Sequence, residues 1–121
     1  MPINDRKPLV TVIMPAYNAA GFIREAIQSV LCQTVTDLEL LVIDDGSQDN
    51  TRQIVTDIAE KDHRVRLLVN EQNMGAAGTR NRGLELCRGQ YVALLDSDDY
   101  YLEVVPSARG GKTPPCYHFN R

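Results

Sequence analysis

Leu9-Val10-Thr11-Val12-Ile13-Met14-Pro15 is a short, nearly continuous apolar and β-branched run closed by a proline, and beyond Ala20 the spacing of apolar residues changes. The run suits a strand covered on both faces. Pro15 ends it, because proline brings no N–H to a ladder. Ile23, Ala26, Ile27, Val30 and Leu31 then fall at helical offsets, with Arg24, Glu25 and Gln28 on the other side. That pattern predicts an amphipathic helix packed on a sheet. The alternation repeats along the chain. Leu38 to Ile43 reads as a second strand, closed by the turn residues Asp44-Asp45-Gly46-Ser47. Asp49 or Asn50 is placed to cap a helix whose Ile54, Val55, Ile58 and Ala59 point inward. Val65 to Val69 is the third strand. A third helix is predicted from Ala76 to Arg88 with Gly89 as its stop, and Tyr91 to Leu95 is the fourth strand. Helices joining consecutive strands impose parallel pairing, so the fold class is α/β with an open, mainly parallel, helix-flanked sheet.

Composition narrows the function. Of 121 residues, 13 are Lys or Arg and 16 are Asp or Glu, a net charge of −3 that argues against nucleic-acid binding through bulk charge. With 43% hydrophobic and 24% charged residues the chain is globular in composition and long enough for one domain. Cys32, Cys87 and Cys116 are far apart and form no zinc or redox pair, which favours a reducing compartment and a cytoplasmic setting. Arg6-Lys7 followed by Leu9–Met14 is too short an apolar run for a signal peptide, and no run approaches the roughly 18 residues of a membrane span. Membrane association is therefore expected only indirectly, peripheral to the inner face. From Glu103 to Arg121 apolar periodicity stops while Pro106, Gly110, Gly111, Pro114 and Pro115 crowd together. Residues 1–102 are read as the domain and 103–121 as an irregular or disordered tail.

The chemically unusual residues lie at the carboxyl ends of the predicted strands, where open α/β sheets bind ligands. Asp96-Ser97-Asp98-Asp99 follows the buried strand Tyr91–Leu95. Carboxylates that close repel one another unless a cation or several donors neutralise them, and a hard divalent ion such as Mg²⁺ or Mn²⁺ does so with oxygen ligands. The bland alternative is an acidic turn. Asp45, after strand two, is placed to accept from a base or sugar edge, although Asp-Gly is also a common turn pair. Tyr17 offers a ring for stacking a nucleobase, or simply for packing. In Asn73-Met74-Gly75-Ala76-Ala77-Gly78-Thr79-Arg80-Asn81, small residues allow close approach to the sheet. The helix N-terminus there is oriented to meet an anion, with Arg80 and Arg82 neutralising a pyrophosphate. The segment is neither a Walker A loop nor a dinucleotide GxGxxG motif.

Val10–Asn18, Leu41–Thr51 with its Asp44-Asp45-Gly46-Ser47-Gln48-Asp49 core, Asn73-Met74-Gly75 with Thr79-Arg80-Asn81, and Leu94–Asp99 together resemble the family 2 glycosyltransferases. The resemblance covers Leu9 to Leu102. It implies the inverting enzymes of the Rossmann-like GT-A fold, a nucleotide-diphosphate sugar donor, typically a UDP-sugar, and Mg²⁺ or Mn²⁺. It also implies transfer to an acceptor hydroxyl, as in cell-wall or polysaccharide biosynthesis. By the same resemblance Pro15, Ala16 and Tyr17 form the loop holding the base, Asp45 contacts uracil, and Arg80 lies on the nucleotide side. Asp96 and Asp98 are the two acids of the DxD motif: Asp96 toward the ribose or a metal-bound water, Asp98 on the metal, with Ser97 between them and Asp99 in support.

Family members continue past the DxD strand into an acceptor half carrying a general base. Glu103–Lys112 does not match that continuation, and no base is identified. The chain is thus expected to be the donor-binding half, truncated after the DxD strand, able to bind without catalysing. That expectation leaves Tyr91–Leu95 as an unpaired edge through which two chains would dimerise. Two other readings of the residues stand beside it. One is a Mg²⁺-dependent phosphotransfer or receiver-like domain with Asp96 as acceptor. The other is a non-catalytic assembly module using the exposed edge.

Overall fold

The computed structural model describes residues 8–33, 36–95 and the backbone of 103–106. Its elements alternate as β1 (Val10–Ala16), α1 (Ile23–Leu31), β2 (Leu38–Asp44), α2 (Thr51–Lys61), β3 (Val65–Val69), α3 (Gly75–Leu86), β4 (Tyr91–Leu94) and β5 (Glu103–Pro106). The sheet order is β3-β2-β1-β4-β5. β1 pairs in parallel with both β2 and β4, and β2 in parallel with β3, as the α/β reading requires. After β3 the chain crosses back over the sheet to place β4 on the far side of β1. The winding direction therefore reverses between β1 and β4, and it is at such a reversal, at the carboxyl ends of the strands, that open α/β sheets bind ligands.

Residue alternation along β1 and β2 supplies both faces of the core. Val10, Val12, Met14, Leu38, Leu40 and Val42 join Ile23, Ile27, Val30, Val55 and Ile58 in one buried cluster, so α1 and α2 cover that face. Ile13, Ile43, Val92 and Cys87 form a smaller cluster on the other. There α3 buries only Thr79 and Gly83. Its backbone approaches β1 closely: a methyl group at Gly83 would lie 2.6 Å from Ile13 Cγ2. At the amino end of the strands, buried Glu39 accepts from Thr11 Oγ1 at 2.7 Å and from the Arg88 N–H at 3.0 Å. It also pairs with the Arg88 and Arg66 guanidinium groups at 3.0 and 3.4 Å. Burial pushes its carboxyl up, but the Thr11 and Arg88 hydrogen bonds and the Arg88 charge outweigh it and hold the carboxyl below the usual range.

Two expectations about the end of the chain change. The segment read as irregular from Glu103 opens with a strand, β5, and residues 107–121 lie outside the described residues. Because β5 pairs antiparallel with β4, with Val92 opposite Val105 and Ala93 opposite Val104, β4 is not a free edge. Val104 and Val105 are β-branched and suit an extended backbone; the turn-forming residues that suggested a tail begin only at Pro106. The premise for dimerisation through residues 91–95, and for an assembly module built on that edge, is removed.

Candidate nucleotide-binding site

Two loops at the carboxyl end of the sheet are stitched together by side chains. The Asn18 N–H donates to Ser47 Oγ at 2.8 Å, the Ala19 N–H to Thr51 Oγ1 at 2.9 Å and the Ala20 N–H to Asp49 Oδ2 at 3.2 Å. In return the Gln48 N–H donates to Asn18 Oδ1 at 2.8 Å. Ser47, Asp49 and Thr51 thus satisfy three consecutive backbone donors of the β1–α1 loop that no strand or helix ladder reaches. Asp49 also accepts the Thr51 N–H at 3.0 Å, so it caps α2 from one residue outside the N-cap position, whereas Asn50 makes no side-chain cap. The Thr51 bonds, hydroxyl and backbone, together with the Ala20 N–H, hold the Asp49 carboxyl below its ordinary range against a smaller upward push from burial.

Within this frame Ala16 is buried, and its carbonyl accepts the Asp45 N–H at 2.8 Å. Pro15 is half-buried at the end of β1. Tyr17, between the anchored Ala16 and Asn18, is 52% exposed, so its ring is available to a ligand rather than packed in the core.

Asp44 and Asp45 have different tasks. Asp44 is buried; its Oδ2 accepts the Gly46 and Ser47 N–H groups at 3.2 and 3.0 Å and lies 3.7 Å from Arg52 Nε. Its Oδ1 has no hydrogen-bond partner among the described residues. Asp45 reaches across to the segment that opens α3. Oδ1 accepts from the Met74 N–H at 2.7 Å and from Asn70 Nδ2 at 2.9 Å, and Oδ2 from the Gly75 N–H at 2.9 Å. Burial pushes the Asp45 carboxyl up, but these three bonds bring it below the ordinary value.

This corrects one reading of the sequence. The N–H groups at the start of α3 face a carboxylate of the same chain rather than an incoming anion. Arg82 is likewise engaged, donating to Asn70 Oδ1 at 2.6 Å and to the Val69 carbonyl at 3.0 Å, so it braces the end of β3. Arg80 is half-buried on α3, about 200° around the helix from Arg82. Asn70, which joins Asp45, Thr79 and Arg82, was not singled out from sequence. The available signal was its place directly after the third strand, at the sheet end that already held Asp45, but Gln72 and Asn73 close by make an amide there ordinary.

The third contribution comes from β4. The Leu95 N–H donates to the Ile13 carbonyl at 3.0 Å, so the chain leaves the sheet alongside β1, on the side where the winding reverses. Asp96, Ser97 and Asp98 follow and lie outside the described residues. Among those described, no three His, Cys, Asp or Glu side chains come together as a metal site.

Residues 11–104 match the family profile described as Glycosyl transferase family 2. The chain belongs to this family. The UDP-Glc:alpha-D-GlcNAc-diphosphoundecaprenol beta-1,3-glucosyltransferase WfgD of Escherichia coli is 50% identical over 94 residues, which cover 78% of this chain and 36% of that protein. Among solved structures, the mannosyltransferase PcManGT from Pyrobaculum calidifontis, in complex with GDP-Man and Mn²⁺, superposes with a TM-score of 0.70 at 31% identity. That match covers 81% of this chain and 30% of the mannosyltransferase. S. aureus TarS 1-349 in complex with UDP-GlcNAc gives 0.68 at 34% identity over 75% of this chain and 27% of its own. The fold is therefore the Rossmann-like GT-A sheet of these glycosyltransferases. The chain spans 27–37% of the length of the first curated relatives it matches. Among the described residues no helix is long and apolar enough to cross a membrane.

Proposed function

We propose that this family 2 chain binds the donor for a glycosyltransferase that moves a sugar from a UDP-sugar to an acceptor hydroxyl with inversion. The observation that carries the reading is the convergence of the Tyr17 loop, Asp45 and the exit of β4 at one end of the sheet. In this reading Pro15, Ala16 and Tyr17 form the base-holding loop, with Tyr17 stacked on the ring. Asp45 accepts from the base edge. Its Oδ1 already receives two donors and its Oδ2 one among the described residues. A carboxylate oxygen has two lone pairs, so one site remains for a single N–H such as that of an imide. Arg80 lies on the diphosphate side.

Asp96 and Asp98 supply the hard oxygen donors that Mg²⁺ or Mn²⁺ uses together with diphosphate oxygens, so the donor set suits either ion. When bound, the ion stabilises negative charge developing on the leaving diphosphate. Ser97 completes the donor-binding set. We assign no general base to any described residue, and the acceptor is not identified. The GDP-Man and Mn²⁺ of the Pyrobaculum complex and the UDP-GlcNAc of the TarS complex support a nucleotide-sugar and metal requirement. The E. coli relative is named for a diphosphoundecaprenol-linked acceptor, which favours work at the cytoplasmic face of a membrane without a span in the described region.

The test is calorimetric titration of the chain with UDP and with GDP, each with and without Mn²⁺. UDP is expected to bind more tightly than GDP, and only in the presence of the metal. Asp98→Ala should abolish the metal dependence and leave the fold unchanged by circular dichroism. Equal UDP binding without metal would remove the role given to Asp98, and equal GDP binding would remove the uracil contact given to Asp45.

A further inference from the structure

We propose that Asn18 is a positioning residue for the Tyr17 ring, holding it ready for the nucleobase before any ligand arrives; this rests on the donor-site reading above. Asn18 has φ +47, among the described residues the only non-glycine in the left-handed region. Side chains rarely adopt that conformation, and Asn tolerates it better than most. The backbone reversal is held from both directions. The Asn18 N–H is taken by Ser47 Oγ, and its amide oxygen takes the Gln48 N–H, both at 2.8 Å. Ser47 is fixed in turn by its own N–H on the buried Asp44 carboxylate.

On the other side of Tyr17, the Ala16 carbonyl is held by the Asp45 N–H. The backbone of Tyr17 is therefore clamped at both neighbours to the β2–α2 turn, while its ring projects into solvent at 52% exposure. An exposed aromatic ring on a clamped backbone loses less freedom on binding than one on a loose loop, so the clamp raises affinity without touching the ligand. Glycine at position 18 would keep the backbone angle available but would lose the amide oxygen and release the turn.

The experiment is a double-variant cycle on the full chain, reading UDP dissociation constants in Mn²⁺ by calorimetry, with circular dichroism melts on every variant. Tyr17→Ala is expected to weaken binding about tenfold, within the range for loss of a base-stacking ring. Asn18→Gly should weaken it about fivefold, and adding it to Tyr17→Ala should change nothing beyond about twofold, since coupled residues do not add. Ser47→Ala, which removes the partner of the Asn18 N–H, should repeat that behaviour and serves if Asn18→Gly does not fold. Losses that multiply in the double variant, or no loss in either clamp variant, would overturn the positioning role while leaving the donor site intact. A folded wild-type chain that binds no UDP would instead overturn the donor-site reading, and the role of Asn18 with it.

Discussion

At Gly89 and Gly83 a single methyl group meets atoms that differ in their ability to move. A Cβ at Gly89 would sit 2.6 Å from the Thr11 nitrogen and 2.8 Å from the Val10 carbonyl carbon, backbone atoms of the central strand that cannot give way. At Gly83 it would meet Ile13 Cγ2 at 2.6 Å, a side chain that is fully buried but not covalently fixed in place. Gly89→Ala should therefore cost about 3 kcal/mol, the upper part of the usual range for overpacking. Gly83→Ala gains about 1 kcal/mol of helix propensity and loses more to the clash, for a net cost near 1 kcal/mol. Urea denaturation of both variants checks the ranking. In an Ile13→Ala background Gly83→Ala should become stabilising, and a cost that persists there would mean the clash is not with Ile13. The sequence reads Gly89 as a helix stop, but α3 already ends at Leu86 with Cys87 as its C-cap. The contact of Gly89 with Thr11 is not legible there, because the two are 78 positions apart and only the return of the chain to β1 brings them together.

Among the elements, α3 depends most on its neighbours. Strong amphipathic periodicity made α1 readable to within a few residues, whereas α3 was inferred from small residues and a terminal glycine. It runs Gly75–Leu86 rather than Ala76–Arg88. Its N-cap residue, Met74, makes no side-chain cap, and Asp45 from the end of β2 takes that task across the fold. No local pattern announces a cap supplied from 30 residues away. The same carboxylate links stability to pH. Its pKa in the folded state lies below the ordinary 3.8, so its contribution is complete above that value and is lost as the pH falls through the lower, folded value. Asp45→Asn should destabilise the protein at pH 7 by about 1–3 kcal/mol, the cost of replacing a charged acceptor of three donors. Urea melts of the two proteins should converge as the pH is taken below 3.8, because the wild type then carries a neutral side chain as well. A gap that stays constant into acid would show that the charge on Asp45 does not hold α3. Glu39, Asp49 and Asp62 are depressed in the same direction, so overall stability falls in the same acid window and only the difference between variants isolates Asp45.

For the molecule as a whole, the parallel pairing and the clustering of polar residues at one end of the sheet were legible because both follow from hydrophobic period and turn chemistry. The strand order was less so: alternating strands and helices do not state on which side of β1 the fourth strand returns. The pairing of β5 was hidden by Pro106 at its end and by the glycines and prolines at 110–115. β4 is only four residues long, and its sides are occupied by β1 in parallel and β5 antiparallel. Without β5, the N–H and C=O groups of Tyr91–Leu94 that face away from β1 would be open to another chain, and an unpaired strand edge is a template for association. A chain ending at Leu102 should therefore self-associate in sedimentation velocity as concentration rises by about two orders of magnitude, the usual consequence of an uncovered edge. The full chain should show no such shift arising from this edge. Circular dichroism on the shortened chain separates association of a folded domain from aggregation of an unfolded one. If the shortened chain keeps its fold and sediments like the full one, β5 does not serve to cover β4, and its pairing has no bearing on assembly.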